Sequence, residues 1–365
     1  MRLTSEQIEL RDVVRRFFSE QVTSEYLRGR ISRGQRSDAE LRQSLQGLGL
    51  YEAFSGTEPP CGVIELALLA EECGRALVPD SCVEHVLINS LLESLVNPSE
   101  QGVVLALLRV AHGGCALAFP GCCDFSIEQD SVAVTGRACW ALCGDGASLL
   151  LGFANTESGV RSFLANLSTV KVAASTLGEP PSTSKPVSSL DVTTPLTEHS
   201  LTKATCTVLS SEATENLSMA IEVLKASEVS GLCQRVLQMT TEYVKTRNQF
   251  GVPIGSFQAI QQKLAQVYAE SEALASLCRF AAWSFSASPE QRRLTSRAAA
   301  LKAAELGVQV CEVAIQCHGG IGFTWEYDLH LFLRRAQMVR AAFGISESRA
   351  DELIRAAENR SSRSF

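Results

Sequence analysis

The sequence predicts an α+β fold: an N-terminal α-helical domain over residues 1–110, a middle antiparallel β domain over 111–208 and a C-terminal four-helix bundle domain over 209–365. Three observations predict it. Apolar residues recur at helical spacing in both terminal thirds, short alternating runs fill the middle, and no repeat or low-complexity tract interrupts the pattern. With 365 residues, 45% hydrophobic and 20% charged, the chain has material for two or three packed units, and wholesale disorder is excluded.

The elements follow in order. Thr4-Ser5-Glu6-Gln7 is a capping entry to a first helix, with Leu3, Ile8, Leu10, Val13, Val14, Phe17 and Phe18 at helical spacing. Leu41, Leu45, Leu48 and Leu50 mark a second helix stopping at Gly49. Gly56 to Gly62 reads as a loop. Val63–Leu77 reads as a third helix ending near Pro79, apolar but for Glu65, Glu71, Glu72 and Arg75 on one side. Strands are expected at Ala116–Phe119, Phe125–Glu128, Ser131–Thr135, Leu149–Phe153, Val160–Ala165 and Thr202–Leu209. The Pro-, Ser- and Thr-rich stretch Glu179–Pro195 reads as a connector, not an element. Long helices are expected at Glu212–Thr246, Phe257–Ser284 and Arg292–His318, with a last segment near Ile345–Ala357.

Composition excludes several classes. Lys+Arg is 33 against Asp+Glu 40, a net charge of −7, which argues against a nucleic-acid partner held through phosphates. The longest apolar runs, such as Val103–Leu108, fall short of the about 20 residues that cross a bilayer. The opening MRLTSEQIELRDVVRRFF carries charge every few residues and does not read as a signal peptide, so a cytoplasmic protein is expected. Thirteen cysteines form no Cys-x-x-Cys pair and read as small buried hydrophobes, with no metal site expected.

Two motifs in the last third carry chemistry. Arg247-Asn248-Gln249-Phe250-Gly251, followed by Pro253-Ile254-Gly255-Ser256-Phe257-Gln258, puts an arginine at a helix end before a Gly-rich turn and a new helix N-terminus. That arrangement suits a phosphate or diphosphate, but from spacing alone it reads more readily as a loop with an exposed arginine. Gln316-Cys317-His318-Gly319-Gly320-Ile321-Gly322-Phe323 lets a backbone or flat ligand approach closely, or simply caps a helix. His318 alone reads more readily as packed than as catalytic.

Together, in this order and frame, the motifs resemble the acyl-CoA dehydrogenase family over essentially the whole chain. The likeness rests on LTSEQIELRDVVRRFF, LLAEECGRALVP, YVKTRNQFGVPIGSFQAIQ and AIQCHGGIGFTWEYDLHLFLRRA. It implies the acyl-CoA dehydrogenase fold and a flavoenzyme in which a carboxylate takes the α proton of an acyl-CoA and FAD takes the β hydride. FAD would sit at a subunit interface, with electron-transfer flavoprotein as the electron acceptor. Arg247, Gln249, Phe250, Phe257, Gln258, Gln316, Gly319 and Gly320 are the FAD contacts the resemblance implies, lent to a partner's cofactor.

The departures from the family pattern point the other way. The resemblance places the catalytic Glu at Phe343, before Gly344, or in a minority of members at Ile221, and neither side chain ionises. The family's flavin loop is replaced by Phe119-Pro120-Gly121-Cys122-Cys123-Asp124. Its Trp-x-Thr reads Trp140-Ala141-Leu142, without the hydroxyl that reaches the flavin. Ile345 and Glu347 follow the base position, and Glu347 suits an anionic diphosphate badly. What the chain lends is kept and what it needs for its own chemistry is lost. No catalytic residue is therefore expected. The chain resembles the FAD-completing subunit of an α2β2 heterotetramer of the kind that degrades steroid side-chain CoA thioesters in bacteria, beside a homologous subunit carrying the Glu. Two alternatives stay open: a homomeric dehydrogenase using Glu228, whose apolar surroundings would raise its pKa, and an FAD-free scaffold. Glu222 reads as a surface or ion-pair residue, and Glu326 as a tie on the Gly-rich turn.

Overall fold

The computed structural model describes residues 2–36, 38–54, 62–79, 84–110, 115–118, 123–127, 133–142, 147–157, 159–167 and 182–343. Helices are α1 Ser5–Gln21, α2 Ser24–Ser32, α3 Ala39–Gly47, α4 Leu50–Ala53, α5 Val63–Ala76, α6 Glu84–Leu95 and α7 Pro98–Val110. Strands β1 Cys115–Ala118, β2 Cys123–Ile127, β3 Ala133–Leu142, β4 Leu149–Thr156, β5 Gly159–Asn166, β6 Ser182–Val187 and β7 Leu196–Val208 follow. The chain then runs through α8 Ser211–Thr246, the hairpin β8 Asn248–Gln249 and β9 Val252–Pro253, α9 Gln258–Trp283, α10 Pro289–His318 and α11 Leu329–Phe343. The segments expected at Gly56–Gly62 and Ile345–Ala357 lie wholly or largely outside the described residues.

The described residues fall into two compact units, those within 2–29, 63–78 and 219–343 and those within 30–62 and 79–218. In the second, β3, β2, β4, β5 and β7 hydrogen-bond in a closed ring, β7 returning to β3. β1 and β2 share the slot between β3 and β4, one after the other. The ring encloses an apolar core in which Phe125 and Phe163 meet edge to face at 5.2 Å. Two expectations need correction. The sheet is not wholly antiparallel, because β1 runs parallel to β4, Cys115 opposite Leu149. Within Glu179–Pro195, Ser182–Val187 is a strand, pairing antiparallel with β7 from Ser182–Leu201 to Val187–Leu196. Its side chains are mostly exposed, so the apolar alternation that marks half-buried strands is missing.

The first unit is helical. Thr4 and Gln7 form the expected capping box on α1. The helices α8 and α5 cross with their backbones in contact. A Cβ built on Gly74 would lie 1.8 Å from the Glu228 carbonyl oxygen, and one on Gly231 would lie 1.7 Å from that of Glu71. The polar side of α5, read from the sequence as one flank of the helix, is turned inward: Glu71 and Glu72 are buried. Glu72 takes a bidentate pair from Arg15 of α1, at 2.6 and 2.9 Å, and a contact from Arg75 at 3.2 Å. Glu71 accepts from Gln234 of α8 at 3.1 Å. Cys73, Cys115, Cys206, Cys233, Cys278, Cys311 and Cys317 are buried and Cys123 is half-buried, and burial pushes the Cys115 and Cys233 thiols up to about 12.

The crossing makes a paired prediction. Gly231→Ala should destabilise the protein by about 3 kcal/mol or more, because backbone is what the new methyl meets. Gly102→Ala, in α7 with nothing within 4 Å of the added Cβ, should stabilise it by up to about 1 kcal/mol. Thermal melts of the two variants check both signs.

Candidate functional site

α8 ends at Thr246 and delivers Arg247 to the surface. Its backbone is fixed on both sides: Arg247 N donates to Tyr243 O at 2.8 Å, and Ile254 N donates to Arg247 O at 2.8 Å. Among the described residues its guanidinium has no hydrogen-bond or ion-pair partner. The β8–β9 hairpin turns at Phe250 (φ 54°) and Gly251 (φ 80°), the positive pair that a two-residue hairpin turn requires. Phenylalanine is a strained choice there, and its ring is 92% exposed, held edge-on to Phe257 at 6.2 Å. Phe257 is the N-cap of α9 and offers no side-chain cap, which leaves first-turn N–H groups open beside Gln258. Gln249 and Gln258 are exposed on the same segment.

The second motif meets the first through aromatic packing. His318, the last residue of α10, stacks on Tyr243 at 4.1 Å and 20°, and Tyr327 closes the cluster edge-on to both rings. The Tyr243 hydroxyl donates to His318 O at 3.4 Å. His318 Nδ1 donates to Ala314 O at 2.8 Å, and burial holds its pKa down. The ring is thus a neutral packing element. Around it Gln316, Gly319 and Gly320 are exposed, Gly319 at φ 64°, with open space where a Cβ would stand on either glycine. Glu326 accepts from the Thr324 hydroxyl at 3.3 Å.

The eight residues named from the sequence therefore all point outward. They present one cation, several amide donors, two aromatic faces and a glycine ledge. That donor set fits the diphosphate and rings of a dinucleotide laid across the surface.

The candidate bases are arranged differently. Ile221 is buried in the apolar stripe of α8. Phe343 ends α11, while Gly344, Ile345 and Glu347 lie outside the described residues, as do residues 119–122 of the segment in the flavin-loop position. Trp140 is half-buried in β3, and Leu142 is fully buried. Glu228 overturns the raised pKa expected of it. Burial by itself would push its carboxyl up, but Lys225 (2.9 Å) and Arg335 (2.5 Å) both bind it and pull it down to about 2. Arg335 is itself fully buried and also donates to Val78 O at 3.2 Å. Glu222 is buried rather than on the surface, ion-paired with Arg297 of α10. Sequence reasoning missed the Lys225–Glu228–Arg335 cluster. The i,i+3 spacing of Lys225 and Glu228 was its one local signal, for Arg335 lies over a hundred residues further on.

Residues 222–357 match the family model for the acyl-CoA dehydrogenase C-terminal domain. The acyl-CoA dehydrogenase IpdE2 of Mycobacterium tuberculosis is 30% identical over 278 residues, 74% of this chain and 71% of that protein. The chain belongs to the acyl-CoA dehydrogenase family, whose members bind FAD. The acyl-CoA dehydrogenase FadE34 of the same organism is 36% identical over 166 residues, 44% of this chain and 22% of that one. Among solved structures, the Tcur3481–Tcur3483 steroid acyl-CoA dehydrogenase variant superposes with a TM-score of 0.82 at 21% identity, over 98% of this chain and 99% of that one. The ChsE4–ChsE5 complex of M. tuberculosis superposes at 0.81 and 23% identity, over 98% of each chain. The acyl-CoA dehydrogenase fold expected from the sequence is thus the fold observed.

Glu228 carries a pH prediction. Its folded pKa is depressed from 4.5 to about 2, so its ionised form stabilises the fold fully above about pH 4.5, and that contribution is lost as pH falls towards 2. Glu228→Gln would leave Lys225 and Arg335 buried without their counter-charge and should cost about 3–5 kcal/mol at neutral pH. Denaturant unfolding of both proteins from pH 7 downward should show the gap narrowing below pH 4.5.

Proposed function

We propose that this chain is the FAD-completing subunit of a heteromeric acyl-CoA dehydrogenase. It works beside a homologous subunit that carries the catalytic Glu, in an α2β2 assembly. The observation that carries this reading is the contrast between two groups of residues. Arg247, Gln249, Phe250, Phe257, Gln258, Gln316, Gly319 and Gly320 face outward and uncommitted, whereas Glu228, the carboxylate best placed to be an alternative base, is held between two cations and cannot accept a proton near neutral pH.

Arg247 would meet the diphosphate of the partner's FAD with charge-assisted hydrogen bonds, and the open N–H groups at the start of α9 would add donors to the same anion. Gln316 and the Gly319–Gly320 ledge would lie against the dinucleotide, where the lack of a side chain allows close approach. Bound there, FAD supplies the acceptor for the hydride that leaves the acyl β-carbon. The partner's carboxylate takes the α proton, and this chain, with Phe343 and Ile221 at the base positions, transfers none. The substrate class is an acyl-CoA. A steroid side-chain thioester is favoured by the steroid acyl-CoA dehydrogenase among the structural neighbours. Electron-transfer flavoprotein is the proposed acceptor and the cytoplasm the proposed location.

The test is co-purification. The chain expressed alone should be colourless, and the complex with its partner should carry flavin and turn over acyl-CoA. Arg247→Ala in the complex should weaken FAD binding about tenfold or more, the cost of one charge-assisted contact, read as flavin absorbance against protein after dialysis. Flavin and turnover in the chain alone, or unchanged flavin content in the variant, would refute this assignment.

A further inference from the structure

The helical unit contains a cavity that the flavin reading does not use. α1, the start of α2, α5, α8 and α11 line a partly open cavity of about 630 Å³, a volume in the range of small-molecule sites. Phe18, Val22, Leu27, Met239 and Phe332 supply an apolar wall, and Arg15, Arg75 and Arg235 line the other side. Arg235 precedes Arg247 by twelve residues on α8, roughly 18 Å along the axis, so the cavity is separate from the outward surface.

Charge in the cavity does not balance. Arg15 and Arg75 share the single carboxylate of Glu72. Asp328, also in the wall, is taken by Arg28 at 2.9 Å. Arg235 reaches the Gln238 side-chain oxygen at 3.3 Å. Three lining arginines therefore face one carboxylate, Glu72, that is not already paired outside the cavity, an excess of two positive charges. One remains even if Glu71, behind Arg75, is ionised. This excess sits in a chain whose net charge is −7. Thr23 and Ser24, where α2 begins, add hydroxyl groups to the same rim.

We infer that this cavity binds a small amphiphile with a single carboxylate head and an apolar body. Glu72 already shows how these guanidinium groups hold a carboxylate, with both oxygens engaged by Arg15. A second planar, singly charged head matches the free edge of Arg15 together with Arg235. The apolar wall buries the body of the ligand, which a bare inorganic anion would leave unused.

Decanoate, decanol and inorganic phosphate titrated calorimetrically into the purified full chain, or its complex with the partner, test the inference. Decanoate should bind one per chain, at least tenfold tighter than decanol or phosphate. Arg235→Gln should weaken it at least tenfold, and Arg247→Ala should leave it unchanged. Equal binding of decanol, equal binding of phosphate, no saturable binding of decanoate, or indifference to Arg235→Gln would each overturn it. A decanoate bearing a photoreactive diazirine gives an answer without a variant. Label at Phe18, Val22, Met239 or Phe332 supports the site, and label confined to other segments sinks it.

Discussion

The contact between α5 and α8 sets the terms for the rest of the helical unit. With Gly74 against the Glu228 carbonyl and Gly231 against that of Glu71, the two helices approach until backbone meets backbone. At that distance the polar residues beside the glycines have no route to solvent. Glu71, Glu72 and Glu228 go inside with the crossing, and each needs a partner there. Arg15 and Arg75 answer Glu72, Gln234 answers Glu71, and Lys225 with Arg335 answers Glu228. Such pairs add little net stability compared with an apolar core, but losing one partner is costly; the two cations hold Glu228 ionised, whereas burial pushes the Glu71 carboxyl up.

This bears directly on chemistry. A general base must accept a proton near the working pH, which for a carboxylate means a raised pKa. At Glu228, desolvation acts in that direction and two cations outweigh it. Glu222 is likewise committed, to Arg297. The acids on the buried side of α8 are met by counter-charges, Glu222 by Arg297 and Glu228 by Lys225 and Arg335.

The long helices were legible because their signals are local. Expected and observed limits of α8, α9 and α10 agree within a few residues, since apolar period, Pro289 and the glycines after His318 act over a turn or two. The barrel strands β1, β4 and β5 were legible as short apolar runs, each with four to six consecutive buried residues. β6 was not, because it is an exposed edge strand with Pro186 inside it, and its pairing with β7 leaves no apolar trace. The parallel neighbour of β1 escaped for a related reason, since strand direction depends on closure of the ring and not on residues 115–118. The inward turn of α5 was invisible because Arg15 and Gln234, which make it tolerable, lie 57 and 163 residues from their partners. In the site, the motif residues were readable as an exposed donor set, but the state of Glu228 depended on Arg335, 107 residues away.

Tyr243, His318 and Tyr327 give the outward surface its physical basis. Stacking at 4.1 Å ties the end of α8 to the end of α10, and the buried His318 ring is neutral, so the tie does not loosen with protonation near neutral pH. Arg247 leaves one side of this anchor and the glycine ledge leaves the other. Their spacing is therefore set by packing within this chain and does not wait for a ligand to arrive. A surface pre-organised in this way loses little freedom when it closes over a ligand seated in another subunit. That is what a subunit needs if its proposed part in the reaction is to complete a partner's cofactor site while its own buried acids hold the fold.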